Sequence, residues 1–360
     1  MHTPITPDTQ RAWVDVDLDA IVRNARSYQH RVGVPILAMV KADGYGLGAV
    51  AVARALAGTG VWGFGVATIE EARALHLSGI VSPIVVVTPL HPAQASGFRE
   101  IAARPSIGDL AALQAWLTSG GGPFHVEVDT GMHRTGFPSH DDELLRRVGH
   151  LLAGRDDWEG VFTHFHSAGH DHAACTEQWQ RLHRAVQVIG HRPPLLHAAN
   201  SAAGAWGTAF AGDLARPGIH LFGGAVPGLD TVPVAALRAR VVAVRRAAAG
   251  AGVGYDATWR APHPTTIATL AAGYADGVPR HLSNVGAVEL LGQRLRIVGR
   301  VSMDSCTVDA GALPVAIGDV ATIFGELVSL DEQAALAGTI SYHLLTGLGP
   351  RVPRRCHRPR

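Results

Sequence analysis

From Pro35 to about Gly218 one rhythm of apolar and polar positions repeats: a short apolar run, a small turn, then an Ala/Leu-rich amphipathic stretch. The apolar runs fall at 36–40, 63–67, 84–87, 104–107, 125–129, 161–165, 195–198 and 214–216. Amphipathic segments at 48–56, 70–77, 110–117, 142–152 and 176–188 read as the clearest intervening helices. Strands that alternate with helices imply a parallel sheet, and eight in succession predict a closed (β/α)8 barrel of the TIM type. After Pro233 the period changes. Stretches 234–244, 265–271, 287–291, 295–301 and 320–324 have strand character with no helical pattern between them, which predicts a separate, mainly β domain. Residues 228–233 read as the hinge. Ahead of the barrel, 13–17 is a further strand-like run, placed to cross to the C-terminal domain, and Asp17 or Asp19 caps a helix running to Arg31. The expected α/β architecture thus divides into a strand within 1–17, a barrel over 18–232 and a β domain over 233–360.

Composition narrows the class. With 47% hydrophobic and 17% charged residues among 360, the chain can bury a barrel and a second core, which argues against disorder. A net charge of +1 offers no field for nucleic acid or an anionic membrane. The closing arginines Arg351, Arg354, Arg355, Arg358 and Arg360 read as a solvated tail. Three widely spaced cysteines do not make a disulfide framework and fit a reducing compartment. No signal-peptide pattern or membrane-length apolar run stands out, so a soluble, cytoplasmic protein is expected.

Barrels of this kind carry their chemistry at the C-terminal ends of the strands. Lys41 ends the first run; Asp129 and Arg134 follow the fifth; His164 closes the sixth; Asn200 and Ser201 follow the seventh; Arg216, Gly218 and Ile219 follow the eighth. A lysine directly after apolar residues is partly desolvated, which lowers its pKa and frees a neutral amine for Schiff-base chemistry; a lysine snorkelling out of the strand end is the plainer alternative. Ser201 is placed to cap a following helix, whose N-terminus favours an anion, and the loops after strands seven and eight are where barrels hold phosphate. An ordinary cap and a tight turn would look the same. Combined with Lys41, the pattern points to an aldehyde cofactor that carries a phosphate.

The blocks Val40-Lys41-Ala42-Asp43-Gly44-Tyr45-Gly46, Val128-Asp129-Thr130-Gly131-Met132-His133-Arg134, Thr163-His164-Phe165, His197-Ala198-Ala199-Asn200-Ser201-Ala202, Ala215-Arg216-Pro217-Gly218-Ile219, Val253-Gly254-Tyr255, Gly273-Tyr274-Ala275-Asp276-Gly277 and Gly299-Arg300-Val301-Ser302-Met303-Asp304 resemble, in order, those of alanine racemases. The resemblance runs from about Trp13 to Arg354. It implies a barrel followed by a β domain, pyridoxal 5'-phosphate as cofactor, a small amino acid as substrate, and a homodimer with shared active sites that makes D-alanine for cell-wall precursors. Lys41 would carry the cofactor and act as one base. Tyr255, from the partner subunit, would be the opposing base. Arg216 would face the pyridine nitrogen, with His164 near the ring and Asn200 close by; Tyr45, Ser201, Gly218 and Ile219 would hold the phosphate. Arg134 would lie near the phenolic oxygen, Tyr274 and Met303 would shape the substrate pocket, and Asp304 would support them. Racemisation needs groups on both faces of Cα, and an arginine, which cannot take a proton, leaves the pyridine nitrogen unprotonated and the electron sink weak.

Other readings compete at particular residues. The run from His164 to His172 holds four histidines and Asp171, a set that could bind zinc and would suit a metal-assisted D-amino-acid aldolase or dehydratase on the same barrel. Serine or a broader set of amino acids rivals alanine as substrate, and a non-enzymatic pyridoxal-phosphate carrier would need the barrel alone. Three positions depart from the family pattern. Glu127 replaces a lysine that many members carry as a carbamate, Pro350 replaces a phosphate-binding tyrosine, and Ser302 replaces a cysteine. Alternation puts Glu127 on the same strand face as Asp129, toward the barrel interior, where an ion pair with Arg134 is expected; a different barrel cation as partner, or a neutral carboxyl, is the alternative.

Overall fold

The structure, a computed structural model, describes residues 10–357. Residues 1–9, and with them most of the polar N-terminal stretch, and Arg358 and Arg360 of the basic tail lie outside the described residues. The barrel strands are β2 (Leu37–Met39), β3 (Gly63–Val66), β4 (Ile84–Pro89), β5 (Arg104–Ile107), β6 (Phe124–Asp129), β7 (Trp158–Phe162) and β8 (Leu195–His197), all parallel and paired in chain order. The eighth predicted run makes isolated bridges rather than a full strand, with Ala215 against Ile36 and Arg216 against Asn200. Those bridges still close the cylinder. Leu37 N–H donates to the Ala215 carbonyl at 2.8 Å on one side, and Arg216 N–H to the Ala199 carbonyl at 2.7 Å on the other. Pro217 has no N–H to extend a ladder, which limits the run.

The strands are short, three to six residues each. The sixth sits at Trp158–Phe162 rather than 161–165. His164 and Phe165 have already turned away, held by Gln178 from α7 (His172–Ile189), which donates to the His164 carbonyl at 3.1 Å and accepts from His166 N–H at 3.0 Å. Outer helices α2 (Ala49–Leu56), α3 (Ile69–Leu77), α5 (Leu110–Thr118) and α6 (Asp142–Leu152) match the amphipathic segments to within a residue, and α4 (Ala95–Glu100) adds a short one. α1 (Leu18–Val32) is capped by Asp17, which accepts from Ala20 N–H, and ends on Gly33 in the left-handed conformation.

The second layer is an antiparallel-dominated sheet of β1 (Ala12–Asp17), β9 (Ala235–Ala247), β10 (Thr265–Leu270), β11 (Ala287–Leu290), β12 (Gln293–Arg296), β13 (Cys306–Gly311), β14 (Val320–Phe324) and β15 (Arg354–His357). β1 pairs antiparallel with β9 and parallel with β15. Two short helices, α8 (Leu330–Leu336) and α9 (Ser341–Thr346), interrupt this region, where the pattern predicted none. Neither completes a second full turn, so both are too short to print a helical period on the sequence. The 295–301 run forms strand only as far as Arg296.

Candidate active site

Lys41 follows β2 at the C-terminal rim and opens a turn of unusual backbone. Ala42, Asp43, Gly44 and Tyr45 all have φ between 53° and 63°. Left-handed residues other than glycine cost about 1–2 kcal/mol each, so the turn must be held by its surroundings. Glu71, in the first turn of α3, does much of this: its carboxylate accepts from Ala42 N–H at 2.6 Å and from Ala67 N–H at 2.7 Å. Asp43 accepts from Ala49 N–H at 2.9 Å, and Arg354 of β15 donates to the Gly46 carbonyl at 2.7 Å. The strained turn keeps both Lys41 and Tyr45 on the rim.

Lys41 and Tyr45 line a cavity with Met39, Val87, Glu127, Arg134, Phe162, His164, Asn200, Ser201, Arg216, Gly218, Ile219 and Tyr342. Its volume is about 170 Å³. Three cationic side chains and one acidic side chain face it. Burial, then the Arg134 charge, lowers the Lys41 pKa, and Glu71 partly opposes them. Burial, then Arg216, pushes His164 down to about 3, so its imidazole is neutral. Arg216 is buried and lowered to about 10 by desolvation, yet remains charged at neutral pH.

At one end of the cavity, polar groups gather around Gly218. Its N–H donates to Ser201 Oγ at 2.8 Å. A Cβ built there would stand 2.1 Å from the Tyr45 hydroxyl, so glycine is required for the phenol to approach. Tyr45 stacks on Phe222 with ring centroids 4.5 Å apart, and Tyr342 of α9 lies 6.0 Å away. Ser201 does not cap the segment after it, contrary to expectation. Asn200 does, accepting from Ala203 N–H at 3.0 Å, and the capped segment is 3-10 turn rather than α-helix. The Ser201 hydroxyl instead accepts from the N–H groups of Gly218 (2.8 Å) and His220 (3.4 Å) and lines the cavity.

At the other end Arg216 donates to His197 Nδ1 at 2.7 Å and to the carbonyls of Thr163 (2.7 Å) and Ala198 (3.2 Å), and lies over the Phe162 ring. The expected Glu127–Arg134 ion pair does not form among the described residues. Glu127 instead accepts from Thr135 Oγ1 at 2.9 Å and leaves Oε2 without a partner. The cause is local: Asp129 accepts from the N–H groups of Gly131 and His133, and the turn this makes carries Arg134 outward to an exposed position. Burial raises the Glu127 pKa, while Thr135, Arg134 and Arg216 pull the other way.

Tyr255, Tyr274, Met303 and Asp304 are absent from the cavity lining. They sit exposed on the β domain, Tyr255 in a turn where Asp256 (φ 59°) pairs with Arg300 at 2.9 Å. The turns bearing Tyr274 and Met303 are joined, since Tyr274 and Ala275 N–H donate to the carbonyls of Ser302 and Met303. Buried Asp276 braces them through Arg11 (2.6 Å) and Arg351 (2.9 Å). The histidines of 164–172 do not converge. His164 faces the cavity, His166 bonds Ser167, and His172 packs against Trp206; no described group of three or more His, Cys, Asp or Glu side chains could hold a metal ion. Sequence reasoning missed Glu71, Gln178 and Tyr342. Only Glu71 left a trace, as the last residue of a Thr68-Ile69-Glu70-Glu71 capping box.

Two family models account for most of the chain: the N-terminal domain of alanine racemase matches residues 16–226 and the C-terminal domain residues 234–356. The chain belongs to the alanine racemase family. An alanine racemase of Deinococcus deserti is 38% identical over 353 residues, covering 96% of this chain and 98% of that one. Among solved structures, the alanine racemase of E. faecalis superposes with a TM-score of 0.90 at 31% identity, covering 97% of this chain and 98% of its own. That of Bartonella henselae, with covalently bound pyridoxal phosphate, gives 0.88 at 30% identity, covering 97% and 100%. The fold of this family member is the expected barrel and mainly β domain. No described helix is long and apolar enough to cross a membrane.

Proposed function

We propose that this chain interconverts L- and D-alanine with pyridoxal 5'-phosphate, in the cytoplasm, as a homodimer. The observation that carries the reading is one cavity with a desolvated lysine at its rim, hydroxyl and N–H donors gathered at one end, and a buried arginine at the other. The residues fit the cofactor. The cationic lining favours an anion, Gly218 leaves room for a phosphate-binding phenol, and the amine is predisposed to the neutral form. Bound there, the cofactor supplies a carbonyl carbon for amines and an electron sink for Cα.

The side chains then divide the work. Lys41 holds the cofactor and moves the proton on one face of Cα. Tyr255 of the partner subunit serves the other face, since in its own chain it stands exposed and away from the cavity. Tyr45, Ser201, Gly218 and Ile219 hold the phosphate, and Tyr342 closes that end in place of a tyrosine at position 350. Arg216 offers only N–H donors, so it cannot relieve the pyridine nitrogen of a proton or be neutralised by it. Arg134 approaches from the rim, Glu127 balances its charge across the cavity, and His164 and Asn200 pack along the wall. Tyr274, Met303 and Asp304 complete the substrate pocket of the partner. The test is direct. Borohydride reduction and then peptide mapping should label Lys41, and circular dichroism should follow loss of optical activity from L-alanine. Lys41 is the only lysine in the sequence, so absence of a reduced adduct on it, or an optically unchanged substrate, overturns the reading.

A further inference from the structure

Arg216 is the inner end of a longer chain of contacts. His197 Nδ1 meets its Nη1 at 2.7 Å, His197 Nε2 lies 2.8 Å from His125 Nδ1, and His125 Nε2 lies 3.2 Å from Glu159 Oε2. Glu159 is in turn held by Arg104 Nε at 2.9 Å. The chain runs through the barrel, from the C-terminal rim at Arg216 to the starts of β5 and β7, and its two imidazoles are fully buried. The surroundings are shaped for it. A Cβ at Gly160 would stand 2.5 Å from His125 Nδ1, Phe162 stacks on His197 at 5.1 Å, and Trp62 covers His125 at 5.9 Å.

The two ends fix every proton between them. A guanidinium can only donate, so His197 Nδ1 must accept and His197 carries its proton on Nε2. That N–H donates to His125 Nδ1, so His125 also carries its proton on Nε2 and gives it to a carboxylate, which can only accept. A second proton on either ring would set two N–H groups against each other. We propose that His197, His125 and Glu159 are positioning residues for Arg216: a one-way line of hydrogen bonds that fixes the guanidinium in rotation and keeps its remaining donors on the cavity. The inference deepens the racemase reading and rests on Arg216 facing the cofactor ring. Burial lowers the pKa of both histidines, and the contacts to His125 and Arg104 lower that of Glu159 against its own desolvation, which agrees with neutral rings and a charged end.

The first measurement is made on the unsubstituted holoenzyme labelled with 15N-histidine. Two neutral rings protonated on Nε2, with resonances assigned by His125→Asn and His197→Asn, are expected; a proton on Nδ1 of His197, or a doubly protonated ring, overturns the proposal. The second compares variants. His125→Asn keeps an acceptor for His197, and Glu159→Gln keeps one for His125, whereas His125→Phe leaves the His197 N–H unanswered. His125→Phe should shift the cofactor's absorption band and lower kcat about tenfold, the scale of one buried hydrogen bond, with KM for alanine changed less. His125→Asn and Glu159→Gln should stay within about threefold. An unshifted band and unchanged kcat in His125→Phe, or equal losses in all three variants, would refute it. Should His125→Phe fail to fold, the ring protonation of the unsubstituted enzyme decides alone. Failure of Lys41 labelling would remove the racemase reading while leaving the ring protonation standing.

Discussion

Replacing Gly218 by alanine inserts a methyl group at the point where the phosphate end is tightest. Its backbone, at φ −125° and ψ −92°, needs no left-handed freedom, so the cost is one of space. The new Cβ stands 2.1 Å from Tyr45 Oη and 3.0 Å from Tyr45 Cζ, and contacts below 3.0 Å are essentially never seen, so the phenol must retreat by about 0.9 Å. It has little room to do so, being 6% exposed and stacked on Phe222. Overpacking of this kind costs about 1–3 kcal/mol. Charged wholly to the cofactor-bound state, that range weakens cofactor binding by roughly 5- to 150-fold, at tenfold per about 1.4 kcal/mol. The assay is an absorbance titration of pyridoxal 5'-phosphate into stripped protein, repeated in a Tyr45→Phe background. Removing Oη leaves Cζ as the nearest contact, so alanine should cost less there, with a coupling of about 0.5–3 kcal/mol for touching residues. Unaltered affinity in Gly218→Ala, or the same loss in both backgrounds, would refute the claim that Gly218 exists to admit the Tyr45 hydroxyl.

Mixing inactive Lys41→Ala and Tyr255→Phe subunits should restore part of the activity, because one hybrid site regains both bases; no recovery under proven subunit exchange counts against a shared site. Glu71→Ala should loosen the left-handed turn after Lys41 by about 0.5–1.5 kcal/mol, the net worth of a hydrogen bond whose donor can turn to water, and a thermal scan that matches the unsubstituted protein would contradict that. Glu127 has a folded-state pKa raised above its ordinary 4.5. Its protonated form is therefore favoured by folding, and stability from this group is fully present below pH 4.5 and lost as pH rises through the raised value. Glu127→Gln should thus be more stable than the parent at pH 7, with the difference closing as pH falls below about 4.5, as denaturant titration would read; activity of the parent should not respond to added bicarbonate.

The parts of the fold legible in the sequence are those whose burial pattern is set by one face. α6 falls on its predicted bounds because it buries one apolar face, Leu145, Val148 and Leu152, behind an Asp141 cap; β5 falls on 104–107 although Arg-Pro-Ser-Ile carries little apolar pattern. Lys41 was legible as a charge directly after an apolar run. The sixth strand was misplaced because Phe165 is buried without being in the sheet, and apolar content cannot tell the two apart. Ser201 and Asn200 exchanged the capping role since either can accept from an N–H two or three residues on, and only the approach of Gly218 decides between them. Tyr342 comes from a six-residue helix far along the chain, and His125 reads as an ordinary strand residue until β7 and β8 bring Glu159 and His197 against it. These contacts join distant segments, so no local pattern announces them.

The parallel pairing of β1 with β15, Val14 opposite Arg354 and Asp17 opposite His357, bears on how the molecule is made. Chains emerge from the ribosome N-terminal end first, and barrel strands find partners among near neighbours in sequence. β1 has to wait for almost the entire polypeptide before its second edge is covered. Contacts of such long sequence separation form late and slowly. Until then β1, with Val14 and Val16 fully buried in the finished protein, presents an apolar strand with one open side, a ready template for pairing between nascent chains. Truncation just before β15 would leave that vulnerability permanent, so shortened chains should be lost to aggregation even though they carry every barrel strand.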